Sequence, residues 1–232
     1  MEVKTNEIFY GIQGEGVYQG IPTVFVRFQG CSLITKCQYC DTAYAQDGKG
    51  GTEMTVEEVV SEVSRLSPFY NSWVCITGGE PLWQLDALEE LVRQLKKGGY
   101  KIEIETNGSL PIPRWYTLVD SWNADIKCPC SGVCGVSREE WFRARAQDQI
   151  KFVVGTEEDL KFTKEVLSRH VASSPVILVS PMIKPIPREG LLYWGDQERM
   201  EWLQRVVEFC KKERVRFSLQ WHKVVFGDKK GV

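Results

Sequence analysis

The chain has 232 residues, of which 43% are hydrophobic, so it is long enough to bury a sizeable core. Its formal net charge of −2 gives no broad attraction to nucleic acid or to anionic membranes. No stretch approaches the ~20 apolar residues of a membrane span, and the first residues lack the apolar region of a signal peptide. We therefore expect one cytoplasmic domain over residues 1–232, in which the eight cysteines are thiols or metal ligands rather than disulfides.

Short β-branched runs alternate along the chain with segments of helical periodicity. Strands are predicted at residues 23–28, 73–77, 101–105, 121–126, 149–154, 176–180 and 215–219. Helices are predicted at residues 56–66, 85–97, 138–146, 157–170 and 197–212. This alternation predicts an α/β fold with a mainly parallel sheet, and the count favours a partial (β/α) barrel of about six parallel strands.

Two of the predicted helices begin with the pattern of a capping box. Thr55 and Ser137 are the candidate N-caps, and Glu58 and Glu140 follow three residues later. The pair at 98–99, both glycine, is a candidate stop for the second helix.

The most distinctive segments each follow a predicted strand. The first strand runs into a long loop with three cysteines, and later strands run into GGEP, TNG, KCPCSG and PMIKP. Because the carboxyl ends of parallel barrel strands share one rim, and this rim carries the active site in such folds, we expect these segments to meet.

Cys31, Cys37 and Cys40 lie together in the loop that follows the first predicted strand. Thiolates are the usual ligands of iron–sulfur clusters, which normally take four of them. Three ligands suggest a cubane with one open iron, which can bind and activate a small molecule. A zinc knuckle is the alternative, since CxxC is also a zinc spacing, but His170 and His222 both lie far away in sequence.

The segment Thr77-Gly78-Gly79-Glu80-Pro81 follows the second predicted strand. Two glycines allow a ligand or another backbone to approach closely, and they allow turns with positive φ. A tight strand–helix turn is the simpler interpretation of the two glycines alone.

Together, the three-cysteine loop and GGEP resemble the radical S-adenosylmethionine enzymes. The resemblance implies a partial (β/α) barrel and a [4Fe–4S] cluster whose open iron chelates the amino and carboxylate groups of S-adenosylmethionine. It also implies that one electron from the reduced cluster yields a 5′-deoxyadenosyl radical, which abstracts hydrogen from the substrate.

A narrower resemblance is to the 7-carboxy-7-deazaguanine synthase family. It is carried by the segments at 7–16 (EIFYGIQGEG), 25–28 (FVRF), 40–42 (CDT), 105–108 (ETNG), 125–129 (DIKCP) and 220–223 (QWHK). The resemblance implies a lyase that contracts 6-carboxy-5,6,7,8-tetrahydropterin to 7-carboxy-7-deazaguanine with loss of ammonia, in queuosine and other deazapurine biosynthesis. It further implies Mg²⁺, a homodimer, and an electron donor such as a flavodoxin or ferredoxin.

The same resemblance implies residue roles. For S-adenosylmethionine it implies contacts from Tyr39, Cys40, Asp41, Gly79, Glu80, Asp125, Ile126, Lys127 and Ser180. For the substrate it implies contacts from Ile12, Gln13, Gly14, Arg27, Thr77 and Val232. It assigns the cluster to Cys31, Cys37 and Cys40, and Mg²⁺ to Thr42, whose hydroxyl oxygen suits a hard cation.

Some of these residues have ordinary alternatives. Arg27 could be an exposed charge on a strand. However, strand alternation directs its side chain to the face opposite that of Val26 and Phe28, toward the inside of the barrel. Gly14 could belong to a plain turn, and His222 could either close the substrate pocket or be a hydrogen-bonded surface histidine. The rival functions are an activase that installs a glycyl radical on a partner protein and a zinc-binding module without enzyme activity.

The sequence departs from the family pattern at two places. Five residues separate Cys31 from Cys37, where the family commonly has three, so the cluster loop is enlarged. A further group, CPCSGVC at 128–134, has three cysteines that either hold an auxiliary metal or are plain thiols. Cys75 and Cys210 are expected in the core.

Overall fold

The computed structural model describes residues 1–67, 72–170, 172, 174–183, 197–227 and 229–231. Within these residues one nine-stranded sheet runs through the molecule. Its strands are β1 Glu2–Ile12, β2 Pro22–Phe28, β3 Thr52–Thr55, β4 Trp73–Gly78, β5 Lys101–Thr106, β6 Ser121–Ile126, β7 Gln149–Val154, β8 Val176–Pro181 and β9 Arg216–Phe217.

The order of the sheet is β3-β1-β2-β4-β5-β6-β7-β8-β9. From β2 through β9 the neighbouring strands pair in parallel, while β1 pairs antiparallel with both β2 and β3. The parallel strands therefore all present their carboxyl ends at one rim, as the strand–helix alternation predicted.

The helices are α1 Val56–Leu66, α2 Leu85–Lys97, α3 Glu157–Arg169, α4 Gln197–Glu213 and α5 Trp221–Phe226. Thr55 caps α1 in the predicted capping box with Glu58, and Gly98 ends α2. No helix in the described part of the chain is both long and apolar enough to span a bilayer.

Strand alternation divides the sheet into an apolar outer face and a polar inner face. On β2, Val24, Val26 and Phe28 are fully buried and belong to the cluster that packs under the helices. Phe25 and Arg27, which alternate with them, instead line a cavity on the inner face. Outer residues thus form the hydrophobic core, and inner residues are free to form a site.

The predicted α/β fold with a mainly parallel sheet is confirmed, with two corrections and three omissions. The strand predicted at 215–219 is only Arg216–Phe217. Residues 138–146 do not form an α-helix; only a 3₁₀ turn, Glu139–Arg143, is present. The Ser137 hydroxyl donates to the carbonyl of Asp125, and the Glu140 carboxylate accepts from the amide of Ile112, so neither is available to cap a helix. The sequence patterns did not predict β1, β3 or the short α5.

Candidate active site

A cavity of about 310 Å³ lies at the carboxyl rim of the parallel strands. This volume is at the lower end of the range, roughly 300–1,000 Å³, of small-molecule sites in proteins. Its walls come from the first strand and turn, the cysteine loop, the ends of β4 to β7, and the segment that contains α5.

Cys31, Cys37 and Cys40 are half-buried and all three line this cavity. The loop that carries them is held by backbone hydrogen bonds from Gly30 N to Ala45 O (2.8 Å) and from Cys31 N to Gln46 O (3.1 Å). Burial raises the pKa of the Cys37 thiol, and the positive charge of Lys127 opposes that increase.

The three sulfurs do not form a ready site for a single ion. A tetrahedral zinc with Zn–S bonds near 2.3 Å holds its sulfurs about 3.8 Å apart. Among the described residues, the three cysteines do not form a group whose ligand atoms all lie within 4.8 Å of one another. A cubane separates its thiolates more widely, and three free thiols on one cavity wall are the donor set that a [4Fe–4S] cluster takes.

Asn107 supplies an amide beside the cysteines. Its Nδ2 lies 3.8 Å from Cys31 Sγ and donates to Ser32 Oγ at 3.0 Å. Hydrogen bonds to the sulfurs are one of the levers that set the potential of an iron–sulfur cluster.

The two glycines after β4 allow backbone to pack directly on backbone. Gly78 has φ +141°, and a Cβ there would lie 2.3 Å from Phe28 O. A Cβ on Gly79 would lie 2.0 Å from Gly30 O. The Glu80 amide donates to that same Gly30 carbonyl at 2.8 Å, so the GGEP turn is bonded to the start of the cysteine loop.

The Glu80 side chain has a different surrounding from the one that the resemblance implied. It is fully buried and does not line the cavity. Its carboxylate accepts from Leu82 N (3.0 Å), Thr106 Oγ1 (2.8 Å) and Asn107 N (2.7 Å). Burial raises the pKa of Glu80 to about 7, while the backbone donors oppose the increase. Glu80 thus ties the β4 exit to the β5 exit.

Arg27 points into the cavity, as strand alternation indicated. Its Nε donates to Glu7 Oε1 at 2.7 Å, and its guanidinium lies 6.0 Å from the centre of the Phe9 ring. Burial opposes its charge, but the neighbouring Tyr44 and Glu7 raise the pKa of Arg27. A held, charged fork is suited to a carboxylate ligand.

A row of polar side chains lies inside the barrel beneath Arg27. Thr77 Oγ1 donates to Glu105 Oε2 at 3.0 Å, and Gln13 Nε2 donates to Glu103 Oε2 at 2.6 Å. Burial, followed by the charge of Glu105, raises the pKa of Glu103 to about 8. Cys75 is buried, as expected, but its sulfur lies 3.6 Å from Gln13 Nε2, on this polar side.

A buried ion network crosses the opposite part of the cavity wall. Lys151 Nζ lies 2.5 Å from Glu15 Oε2 and 3.3 Å from Asp125 Oδ1, and Asp125 also pairs with Lys127 at 2.6 Å. Burial opposes ionisation of Glu15, yet Lys151 and the other nearby cations lower its pKa to about 2. Pairing within the network therefore keeps the Glu15 carboxylate ionised although it is buried.

The segment after Cys40 carries two polar residues, and Tyr39 precedes it. Asp41 pairs with Lys223 at 3.0 Å, and Thr42 Oγ1 lies 3.5 Å from Cys40 Sγ. Tyr39 lines the cavity, and its buried hydroxyl has no hydrogen-bond partner among the described residues.

Most residues singled out from the sequence line this one cavity. Those that do are Ile12, Gln13, Gly14, Arg27, Cys31, Cys37, Tyr39, Cys40, Asp41, Thr42, Thr77, Gly79, Asp125, Lys127 and His222. Glu80, Ile126 and Ser180 are buried and do not line it, and Val232 lies outside the described residues.

Sequence reasoning missed Glu15, Glu105, Lys151 and Lys223, which also line the cavity. For two of them, Glu105 and Lys151, a signal was present in the strand that carries each residue. In β5, Glu103 and Glu105 alternate with apolar residues, and in β7 Gln149 and Lys151 do the same. Polar residues two apart in an otherwise apolar strand indicate a polar inner face.

The cysteines at 128–134 lie outside the cavity lining. Cys128 is fully buried and within 3.9 Å of Thr163 Oγ1, while Cys134 is exposed. Burial raises the pKa of Cys130 to about 12. Their ligand atoms form no compact group in the described part of the chain, so no single-ion site is preformed there. Cys210 is buried in the core, as expected.

Known proteins share this architecture. Residues 25–122 match the Radical SAM superfamily. The crystal structure of QueE from Escherichia coli superposes with a TM-score of 0.72 at 25% identity, covering 96% of this chain and 95% of that one. Streptococcus suis SuiB bound to S-adenosylmethionine shares the fold alone, with a TM-score of 0.54 at 11% identity over 82% of this chain and 48% of that one. Fold and cysteine site together define a radical S-adenosylmethionine enzyme, with a [4Fe–4S] cluster and S-adenosylmethionine as cofactors.

Full-length relatives narrow the class. The chain is 42% identical to the 7-carboxy-7-deazaguanine synthase of Methanospirillum hungatei, over 96% of this chain and 85% of that protein. It is 34% identical to the enzyme of the same name from Koribacter versatilis, over 97% of each. The chain belongs to the 7-carboxy-7-deazaguanine synthase family.

Proposed function

We propose that the chain is a carbon–nitrogen lyase that contracts 6-carboxy-5,6,7,8-tetrahydropterin to 7-carboxy-7-deazaguanine and releases ammonia, in queuosine and other deazapurine biosynthesis. The observation that carries the proposal is that one cavity is lined both by the three cysteines and by Arg27. The first is the site expected of a radical S-adenosylmethionine enzyme, and the second is a partner for a substrate carboxylate.

In this proposal Cys31, Cys37 and Cys40 hold the cluster. The backbone at Gly79, the segment from Tyr39 to Asp41, and the segment from Asp125 to Lys127 hold S-adenosylmethionine. Ser180 is assigned to this cofactor from the resemblance alone, because it is buried and does not line the cavity. When bound, the two cofactors supply the 5′-deoxyadenosyl radical that abstracts a substrate hydrogen.

The remaining residues bind and orient the pterin. Arg27 has its Nε engaged by Glu7, so its outer nitrogens are directed to the substrate carboxylate. Gln13, Thr77 and Glu105 offer hydrogen-bonding groups at the ring edge, and Ile12 and Gly14 cover the ring with His222. Val232 is assigned to the substrate from the resemblance alone.

Magnesium is proposed at Thr42, which lines the cavity next to Cys40. Mg²⁺ prefers oxygen ligands and keeps several waters, so one hydroxyl and the substrate oxygens suit it. Thr42→Ala should raise the Mg²⁺ concentration needed for half-maximal turnover, while Thr52→Ala, on β3, should not. A magnesium titration that is the same for both variants would remove Thr42 from the site.

The assembly proposed is a homodimer of one domain, residues 1–232, which acts in the cytoplasm with a flavodoxin or ferredoxin as electron donor. Sedimentation of the purified protein tests the dimer, and a monomer at assay concentration would contradict it. Replacing a chemical reductant by a reduced flavodoxin tests the donor.

The decisive experiment is an anaerobic assay with the reconstituted protein, a reductant, S-adenosylmethionine and the carboxy-tetrahydropterin. The expected result is 7-carboxy-7-deazaguanine and ammonia in equal amounts. A protein that cleaves S-adenosylmethionine but leaves the pterin unchanged would support the glycyl-radical activase, and a colourless zinc protein would support the binding module.

A further inference from the structure

Lys223 on α5 is a buried charge to which the proposed reaction assigns no role. It is 6% exposed, and lysine is rarely buried without partners. Its Nζ lies 3.0 Å from Asp41 Oδ2 and donates to Gln220 Oε1 at 3.1 Å.

The first partner, Asp41, lies between the third cysteine and Thr42. That stretch has few internal supports: Cys40 N donates to Cys37 O at 3.3 Å, and the 3₁₀ turn Ala43–Ala45 that follows has no side-chain cap. The contact on the Asp41 carboxylate therefore restrains the backbone directly after Cys40, and it comes from a distant part of the chain.

The second partner, Gln220, connects to the turn on the substrate side. Gln220 Nε2 donates to Glu15 Oε1 at 2.8 Å, and Trp221 N donates to Gly14 O at 2.9 Å. The His222 side chain packs so closely on Gly14 that a Cβ there would lie 2.5 Å from His222 Nδ1. The start of α5 is thus fastened to the turn that follows β1.

We propose that Lys223 is a positioning residue that joins the cysteine loop at Asp41 to the substrate-side turn at Glu15. Because Lys223 contacts Asp41 directly and Glu15 through Gln220, the backbone around Cys40 becomes ordered only when α5 closes the substrate pocket. The identity of the substrate rests on the proposed function, whereas the link between loop and turn does not.

The first test uses the protein without cofactors. Hydrogen exchange of the segments 38–45 and 220–226 is compared in the wild type, Lys223→Met, Lys223→Arg and Lys211→Met. Lys211 is an exposed lysine that pairs with Glu208, so it is the matched control. Lys223→Met should speed exchange several-fold in both segments, Lys223→Arg should restore most of the protection, and Lys211→Met should change neither segment.

The second test uses the reconstituted enzyme and measures 5′-deoxyadenosine formed per deazaguanine. Lys223→Met should raise this ratio several-fold, with the iron and sulfide content unchanged, and Lys223→Arg should lower it again. Asp41→Asn should have the same effect, and Lys223→Met should add little to it, because both substitutions remove the contact between Lys223 and Asp41. Asp41→Asn also weakens the longer pair of Asp41 with His222 (3.7 Å), so its effect should be at least as large.

Unchanged exchange in the cysteine loop, or independent effects of Asp41→Asn and Lys223→Met, would overturn the proposal. If Lys223→Met fails to fold, Asp41→Asn alone gives both readouts, since the Asp41 side chain is 44% exposed. A wild type that makes no deazaguanine would refute the proposed function, while the exchange experiment would still test the link.

Discussion

For two ionisable side chains inside the barrel, the neighbouring groups determine whether the charged or the neutral form is favoured. Arg27 keeps its charge in a buried place because Glu7 and Tyr44 lie beside it. Glu103 has a carboxylate neighbour and amide donors instead, and its pKa of about 8 lies far above the usual carboxyl range. The first environment is suited to binding an anion, and the second favours the protonated, neutral form of the Glu103 carboxyl.

Arg27→Ala should weaken substrate far more than S-adenosylmethionine. Loss of charge-assisted hydrogen bonds to a carboxylate costs roughly 1.5–3 kcal/mol, so we expect KM for the pterin to rise about 10- to 100-fold. Arg27→Lys should recover part of the loss, because the charge returns without the planar fork. Equal losses for both ligands in steady-state assays would contradict the assignment.

Glu103→Gln should change how stability depends on pH. The pKa of Glu103 is about 8 in the folded protein, against an ordinary value of 4.5, so between these values the folded state binds the extra proton. Stability therefore falls as pH rises through this window. The variant cannot release that proton, so its urea midpoint should fall less between pH 5 and 8.

Glu80 also titrates in this window, with a pKa of about 7. It is present in both the wild type and Glu103→Gln, so it contributes equally to both pH profiles. Glu15, with a pKa of about 2, is ionised throughout and adds no slope there. The difference between the two pH profiles therefore isolates Glu103, and parallel profiles would show that Glu103 is ionised when folded.

At the scale of elements, the GGEP turn and the cysteine loop act as one unit. Gly79 packs on the Gly30 carbonyl, and the Glu80 carboxylate accepts from the Thr106 hydroxyl and the Asn107 amide at the end of β5. Backbone contacts therefore join the exits of β2 and β4, and the Glu80 carboxylate joins them to the exit of β5. Side chains at the glycine positions would disrupt the backbone contacts.

Gly79→Ala should destabilise this unit, because its Cβ would lie 2.0 Å from Gly30 O. Gly48→Ala is the matched control, since a Cβ there meets nothing within 4 Å. We expect a lower melting temperature and a lower iron content after reconstitution for Gly79→Ala only. Equal iron content in both variants would mean that the loop adjusts without cost.

The sequence predicted the parallel strands well, because each is a short apolar run between turn signals. The two strands at the antiparallel end of the sheet, β1 and β3, were missed: β1 is long and polar and pairs antiparallel with both neighbours, and β3 has only four residues. Residues 138–146 carried a capping pattern, but Ser137 and Glu140 bind other segments. Local patterns cannot reveal such tertiary partners.

The site was predictable where motifs follow strands, as at the cysteines, Arg27 and Thr77. The surroundings of Glu80 were not, because its partners lie 26 and 27 residues further along the chain. The same holds for Lys223, whose pairing with Asp41 depends on how the last helix closes over the rim.

At the scale of the whole molecule, the buried ions form a chain from the first turn to the last helix. Lys151 joins Glu15 and Asp125, and Glu15 continues to Gln220. Removing one member of such a buried ion network leaves an uncompensated charge, which destabilises the fold far more than the loss of a surface ion pair.

Lys151→Met should therefore lower the free energy of unfolding by about 3–5 kcal/mol. Lys164 is 57% exposed and pairs with Glu213, so Lys164→Met should lower the free energy of unfolding by only about 0–1 kcal/mol. Urea denaturation of both variants measures the difference. Similar values would indicate that the cavity solvates Lys151.

The closing of the site by α5 has a consequence for synthesis of the protein. Gln220 and Glu15, which are bonded in the finished wall, are 205 residues apart in the chain. A ribosome adds about 5–20 residues per second, so the cysteine loop exists for many seconds before its last support emerges. Iron–sulfur assembly on the nascent chain would meet a loop that still lacks its contact with Lys223, which favours insertion of the cluster only after α5 has been synthesised.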